Sequence, residues 1–237
     1  MRKILNAVFS FKWTCNICGK EIFNNAFYCD ECKSKLIPIT STKCDHCGRL
    51  TAYPTLYCES CSGKNENFDC ARSIYAYNES IAKIIHNFKY SSKTYLKEVF
   101  SEELSQVYLN NFWISDYLTY IPMTKERLRE RGYNQSKLMA DRLSEILKIP
   151  SMELVEKVCE TNRQATLTAS ERKDNLKGSF KAKKIDLTGK TITVIDDVLT
   201  TGVTMNLVAE QLKKMGASKV YVLTIASVGK SIDNIND

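Results

Sequence analysis

The sequence predicts an α/β domain built on a parallel, doubly wound sheet, preceded by a small cysteine-rich module, and three observations carry that prediction. Eight of the ten cysteines form an internal repeat within the first 61 residues. Strand-like and helix-like segments alternate from residue 117 onward, and one of those strands ends in two adjacent carboxylates ahead of a threonine- and glycine-rich loop. With 237 residues and a hydrophobic fraction of 43%, the chain can bury one ordinary α/β core beside a short appendage. The balance of 34 Lys and Arg against 27 Asp and Glu gives +7, which suits phosphates or nucleic acid as ligands. No run approaches the roughly 20 apolar residues of a membrane helix. Residues 1–15 lack a small-residue cleavage site before charge returns. Membrane insertion is therefore not expected, and the cytoplasm is the expected location.

Cys15, Cys18, Cys29 and Cys32 each recur 29 residues later, as Cys44, Cys47, Cys58 and Cys61. The flanks repeat too: TCNICGK answers KCDHCGR, and FYCDEC answers LYCESC. The cytosol keeps thiols reduced, so this spacing points to metal rather than to disulfides. Zn²⁺ takes four thiolates in a tetrahedron, and a CxxC turn presents two of them on one knuckle, where Gly19 or Gly48 eases the reversed backbone. Two structural zinc ions are expected, because all-cysteine sites leave no position for a reactive water. Tandem pairing of the knuckles and cross-braced pairing, first with third and second with fourth, both use all eight ligands. The module has few large aliphatic residues and depends on its metal to fold. His46, inside the third knuckle, is expected to face solvent, and Cys70 and Cys159 to act as small hydrophobes. The polar run SGKNENFD closes this module at residues 1–66, and the second domain spans 67–237.

Residues 73–77 alternate as a short strand. Ile81, Ile84, Ile85 and Phe88 then recur at helical spacing after a Ser80 cap, with His86 on the surface of that helix. A helix over 97–109 follows. From Tyr117 the order is strand YLTYIPM, helix 134–147, strand ELVEKV, a polar stretch 160–184, strand TITVIDDV, helix 203–215 and strand KVYVLTIA. Such alternation implies a parallel sheet with ligands beyond the carboxyl ends of its strands. The last helix places Val203, Leu207, Val208, Leu212 and Met215 on one face and stops at Gly216.

The strand TITVIDDV ends in Asp196 and Asp197, followed by LTTGVT. Two vicinal ribose hydroxyls need two adjacent acceptors. Backbone N–H groups at a helix N-terminus and the hydroxyls of Thr200, Thr201 and Thr204 around Gly202 make an anion cradle. A diol at one end and a phosphate at the other describe a ribose 5-phosphate. A second basic cluster, Lys125, Arg127, Arg129 and Arg131, leads into Gly132, Tyr133, Asn134 and Gln135, a mixture suited to phosphate or nucleic-acid contact.

The segment VIDDVLTTGVT resembles the phosphoribosyl diphosphate loop of type I phosphoribosyltransferases. The resemblance implies a parallel-sheet domain of that type, in which Asp196 and Asp197 bind the ribose hydroxyls. It implies that Leu199, Thr200, Thr201, Gly202, Val203 and Thr204 bind the 5-phosphate, and that Met123, Thr124 and Lys125 form a pyrophosphate loop after the first core strand. It also implies a mobile loop over 160–184 whose Arg163, Arg172, Lys173 and Lys177 close over the diphosphate, with Mg²⁺ bridging its oxygens. Asp196, Asp197 and Arg163 are the catalytic candidates. Taken whole, the chain resembles the ComF family, through its cysteine knuckles, YAYNESIAKIIHNFKY, IPMTKERLRERGYNQS, RQATLTASERKDNLKGSF and VIDDVLTTGVT. That resemblance implies a cytosolic role in DNA uptake and natural transformation. The implied partners are single-stranded DNA, phosphoribosyl diphosphate and other DNA-uptake proteins such as a competence helicase. A transferase acting on an unknown nucleobase-like acceptor is the alternative, although no base-recognition hood is evident and residues 229–237 form a short polar tail.

Overall fold

The computed structural model describes residues 13–22, 26–40, 42–91, 93–158 and 178–229. The chain begins with a small antiparallel pair, β1 (Trp13–Thr14) and β2 (Glu21–Ile22), and a one-turn helix, α1 (Asp30–Lys33). The link to the second knuckle pair runs along the edge of the main sheet. Ile39 N–H donates to Ile74 O and Ala76 N–H to Ile37 O, so residues 37–39 shield an otherwise open edge of β3 (Cys70–Ala76). β3 begins three residues before the alternation visible in the sequence, because Cys70 and Arg72, facing away from the core, still pair with Tyr221 and Leu223.

Two helices follow, α2 (Glu79–Tyr90) and α3 (Leu96–Asn110). The cap of α2 is Asn78 rather than Ser80: its extended backbone lets the side-chain oxygen accept from Ile81 N–H at 3.0 Å. Then come β4 (Tyr117–Tyr120), α4 (Lys125–Arg131), α5 (Gln135–Leu147), β5 (Val155–Lys157), β6 (Phe180–Ala182), β7 (Thr191–Leu199), α6 (Val203–Lys214) and β8 (Lys219–Ser227). The main sheet is parallel throughout, in the order β3-β8-β7-β4.

The segment ELVEKV supplies β5, but β5 pairs antiparallel with β6 instead of joining that sheet. The place beside β4 is taken by residues 150–152, through Leu118 N–H to Pro150 O and Met152 N–H to Leu118 O. Alternating hydrophobicity shows that a segment is extended; it does not show which neighbour it pairs with. On α6, Met205 is buried while Val203, the first residue of the helix, is exposed beside the loop that precedes it.

Two hydrophobic clusters flank the sheet. One joins α2, α3 and α5 with Cys15, Tyr28, Cys32 and Leu36 of the first knuckle pair. The other joins α6, β5 and β6 with Cys44, Cys47 and Cys61 of the second. The two zinc-ribbon units thus pack into two different cores, which places the second beside the carboxyl ends of β7 and β8.

Candidate functional site

The eight predicted metal ligands fall into two groups, Cys15, Cys18, Cys29 and Cys32, and Cys44, Cys47, Cys58 and Cys61; within each, all four sulfurs lie within 4.8 Å of one another. Pairing is therefore sequential, giving tandem ribbons. Four thiolates around zinc at about 2.3 Å stand about 3.8 Å apart. The sulfurs of Cys18 and Cys29 are 3.8 Å apart, those of Cys47 and Cys58 3.6 Å, and those of Cys58 and Cys61 3.7 Å, so the donor sets fit zinc. Cys44 Sγ also accepts Cys58 N–H at 3.2 Å, which leaves its lone pairs oriented by the backbone.

His46 does not face solvent. Its Nε2 lies 2.9 Å from Glu66 Oε2 and its ring stacks on Phe68 at 4.9 Å. The aromatic wall of the ribbon desolvates it, and the carboxylate supplies its partner. Cys70 is half-buried, as expected of a small apolar side chain, and His86 is exposed against Tyr90. Cys159, Arg163, Arg172, Lys173 and Lys177 lie outside the described residues.

At the carboxyl end of β7 a cleft of about 270 Å³ collects Asp196, Asp197, Met123 and Thr204 with Lys89, Arg127, Arg131, Lys157 and Ser136. Four basic side chains against two acids give the cleft an excess of positive charge, which favours an anion carrying several charges. Asp197 is buried and its Oδ2 meets Lys89 Nζ at 2.7 Å. Asp196 Oδ1 accepts from Ser136 Oγ at 2.7 Å. Burial and the neighbouring Asp197 push the Asp196 carboxyl up to about 7, against the bonds and charges that favour its ionised form.

The loop beyond β7 runs through Leu199, which is buried, and exposed Thr200 and Thr201 to Gly202, which caps α6 in the left-handed conformation at φ 83°. Val203 is exposed and Thr204 lines the cleft. In the other predicted loop, Met123 faces the cleft while Thr124 is buried as the cap of α4, its Oγ1 accepting from Arg127 N–H at 3.3 Å. Lys125 opens α4 on the exposed side.

The residues after that helix serve the fold rather than an open surface. Gly132 closes α4 at φ 82°, Tyr133 Oη donates to Phe88 O at 2.5 Å, and Asn134 caps α5 while donating to Ile121 O at 2.9 Å. Gln135 is fully buried. Lys89, Ser136 and Lys157 are cleft residues that the sequence left unmarked: the first two sit in amphipathic helices and the third in β5, and only the fold brings them to acids far along the chain.

Residues 134–237 match the family model of the phosphoribosyl transferase domain, and residues 4–62 match that of the double zinc ribbon domain. The class is therefore a phosphoribosyltransferase-type domain joined to a double zinc ribbon. The chain is 28% identical to competence protein F of Haemophilus influenzae over 77% of this chain and 83% of that one. It is 29% identical to competence protein ComFC of Bacillus subtilis over 83% and 82%, and 28% identical to DNA utilization protein YhgH of Escherichia coli over 88% and 87%. Over most of its length the chain is thus similar to ComF-type competence proteins. Among the described residues, no helix is long and apolar enough to cross a membrane.

Proposed function

We propose that the cleft binds phosphoribosyl diphosphate with Mg²⁺ and that the protein serves competence and DNA utilisation, as the names of its relatives suggest, by binding single-stranded DNA. The observation that carries the reading of the site is the paired carboxylates at the end of β7, opposite basic side chains and one loop away from the N-terminus of a 12-residue helix. Asp196 and Asp197 accept from the vicinal ribose hydroxyls. The Thr200–Thr204 loop and the start of α6 hold the 5-phosphate, and Lys89, Arg127 and Arg131 face the diphosphate. Mg²⁺, bound with the ligand, neutralises part of its charge.

DNA binding is supported by the net charge of +7 and by the exposed Tyr53 and Tyr57 of the second ribbon, whose rings are available for base stacking. Its test is titration of a fluorescent oligonucleotide at rising salt. Affinity should fall steeply as phosphate contacts release counterions, and absence of binding at low salt removes this part of the reading. A transferase reaction is supported by the same carboxylates, which would stabilise positive charge at C1 as diphosphate leaves. Pyrophosphate release with a panel of nucleobase-like acceptors, lost in the Asp196→Asn, Asp197→Asn variant, would establish it.

A further inference from the structure

The second zinc ribbon reaches the phosphate loop through one buried side chain. Arg49 follows the knuckle Cys44-Asp45-His46-Cys47-Gly48 and is 4% exposed. Its Nη2 donates to Thr200 O, in the loop, and its Nε donates to Val228 O at 2.9 Å, just past β8. Val228 N–H in turn donates to Leu199 O at 2.9 Å, so the guanidinium ties together the ends of the two central strands.

The ribbon end of Arg49 is fixed as well. Its own carbonyl accepts Cys44 N–H at 2.9 Å. The segment leaving the ribbon adds further contacts. The place a Cβ would occupy at Gly202 lies 3.2 Å from Glu66 Oε1 and 3.9 Å from Phe68 Cε1, and Asn67 Nδ2 donates to Asn206 Oδ1 at 3.1 Å. The first ribbon is anchored elsewhere: Asn87 Nδ2 donates to Asn16 O at 3.0 Å, on α2.

We propose that Arg49 is a positioning residue for the phosphate loop, and that through it the zinc occupancy of the second ribbon sets the affinity of the site for a ribose 5-phosphate group. A trans peptide carries its C=O and N–H on opposite sides. With Thr200 O drawn toward Arg49, the N–H of Thr201 faces away from the ribbon, where the loop would need it to hold a phosphate. Two carbonyls held by one rigid fork fix both the height and the tilt of the loop before ligand arrives, so the ordering cost of binding is already met. When zinc leaves the second centre, the knuckle that holds Arg49 loses its constraint and the loop loses its support.

This inference rests on the reading of the cleft as a ribose-phosphate site, and the experiment separates the two. Wild type, Arg49→Ala, Arg49→Lys and Cys58→Ser are compared by zinc content, by amide hydrogen exchange at 199–206, and by calorimetric titration with ribose 5-phosphate. Arg49→Ala is expected to keep two zinc ions, to exchange faster at 199–206 while the core helices are unchanged, and to bind at least tenfold more weakly. Arg49→Lys, which keeps charge but cannot fork to two carbonyls, should fall between. Cys58→Ser should lose one zinc and show the same loop loosening, and adding Arg49→Ala to it should change little further, since both act through one contact. Exchange and affinity equal to wild type in Arg49→Ala, or a loop unaffected in Cys58→Ser, overturns the proposal. If wild type binds no ribose 5-phosphate, the reading of the cleft fails, and the exchange data still decide whether Arg49 holds the loop. Should Arg49→Ala not fold, Arg49→Lys carries both measurements.

Discussion

Replacing Asp196 with asparagine removes a charge that the fold holds against its preference. Asn Oδ1 still accepts from Ser136 Oγ, so the substitution changes charge and little else. The carboxyl stands at about 7 in the folded protein against an ordinary 3.8. A group raised in this way is protonated in both states below its unfolded value and adds no penalty there. As pH rises from about 4 to 7 the unfolded chain ionises first, stability is lost across that window, and above 7 the full penalty stands. The whole shift is worth on the order of 4 kcal/mol, and the part still to be lost between pH 6 and pH 8 is about 1 kcal/mol. Urea unfolding of ligand-free protein at those two pH values, with zinc retained throughout, is the assay. Asp196→Asn should be more stable than wild type at pH 8, by about 1 kcal/mol more than its advantage at pH 6. An advantage that does not change with pH, or a variant less stable than wild type at pH 8, refutes the account of a buried acid raised by its neighbour.

A methyl at Gly48 would run into the carbonyl of Ala71 in β3, whereas at Gly19, the equivalent glycine of the first ribbon, nothing lies within 4 Å. Both glycines have positive φ, so Gly19→Ala should cost about 1–2 kcal/mol for the left-handed backbone alone and Gly48→Ala about 1–3 kcal/mol more, read by chemical denaturation. Tandem pairing predicts that Cys18→Ser with Cys29→Ser leaves one zinc per chain by elemental analysis; cross-braced pairing would leave none. Lys89→Gln leaves Asp197 without its cation. Because that pair lies between exposed and buried, with side chains 25% and 12% accessible, the loss should be about 1–3 kcal/mol, with weaker binding of any diphosphate ligand.

Much of this arrangement was legible in the sequence, because its signals are local. Cysteine spacing names the zinc ligands without reference to anything outside the repeat, and TITVIDDVLTTGVT carries strand, acids, loop and helix start in one stretch. The remainder depends on contacts between distant segments. Tandem pairing could not be read from spacing that satisfies both arrangements. β5 was legible as a strand, yet its partner β6 lies within the segment 160–184 that reads as a polar loop, and nothing in ELVEKV signals an antiparallel neighbour. The stretch Gly132 to Gln135 reads as a ligand-contact motif, but its glycine, ring and amides are used in closing one helix and starting the next. Lys89 and Arg49 look like ordinary surface cations until the fold sets one against Asp197 and the other beneath Thr200. His46, read as solvent-facing, is packed on Phe68 because the segment after the ribbon folds back over it.

The central claim is that the carboxyl end of β7 is a ribose-phosphate site. Calorimetric titration of phosphoribosyl diphosphate with Mg²⁺ into wild type and into the Asp196→Asn, Asp197→Asn variant tests it without assuming any reaction. Saturable binding of one ligand per chain by wild type, lost in the variant, is the result the account predicts. No binding by wild type, or equal binding by both proteins, would contradict it.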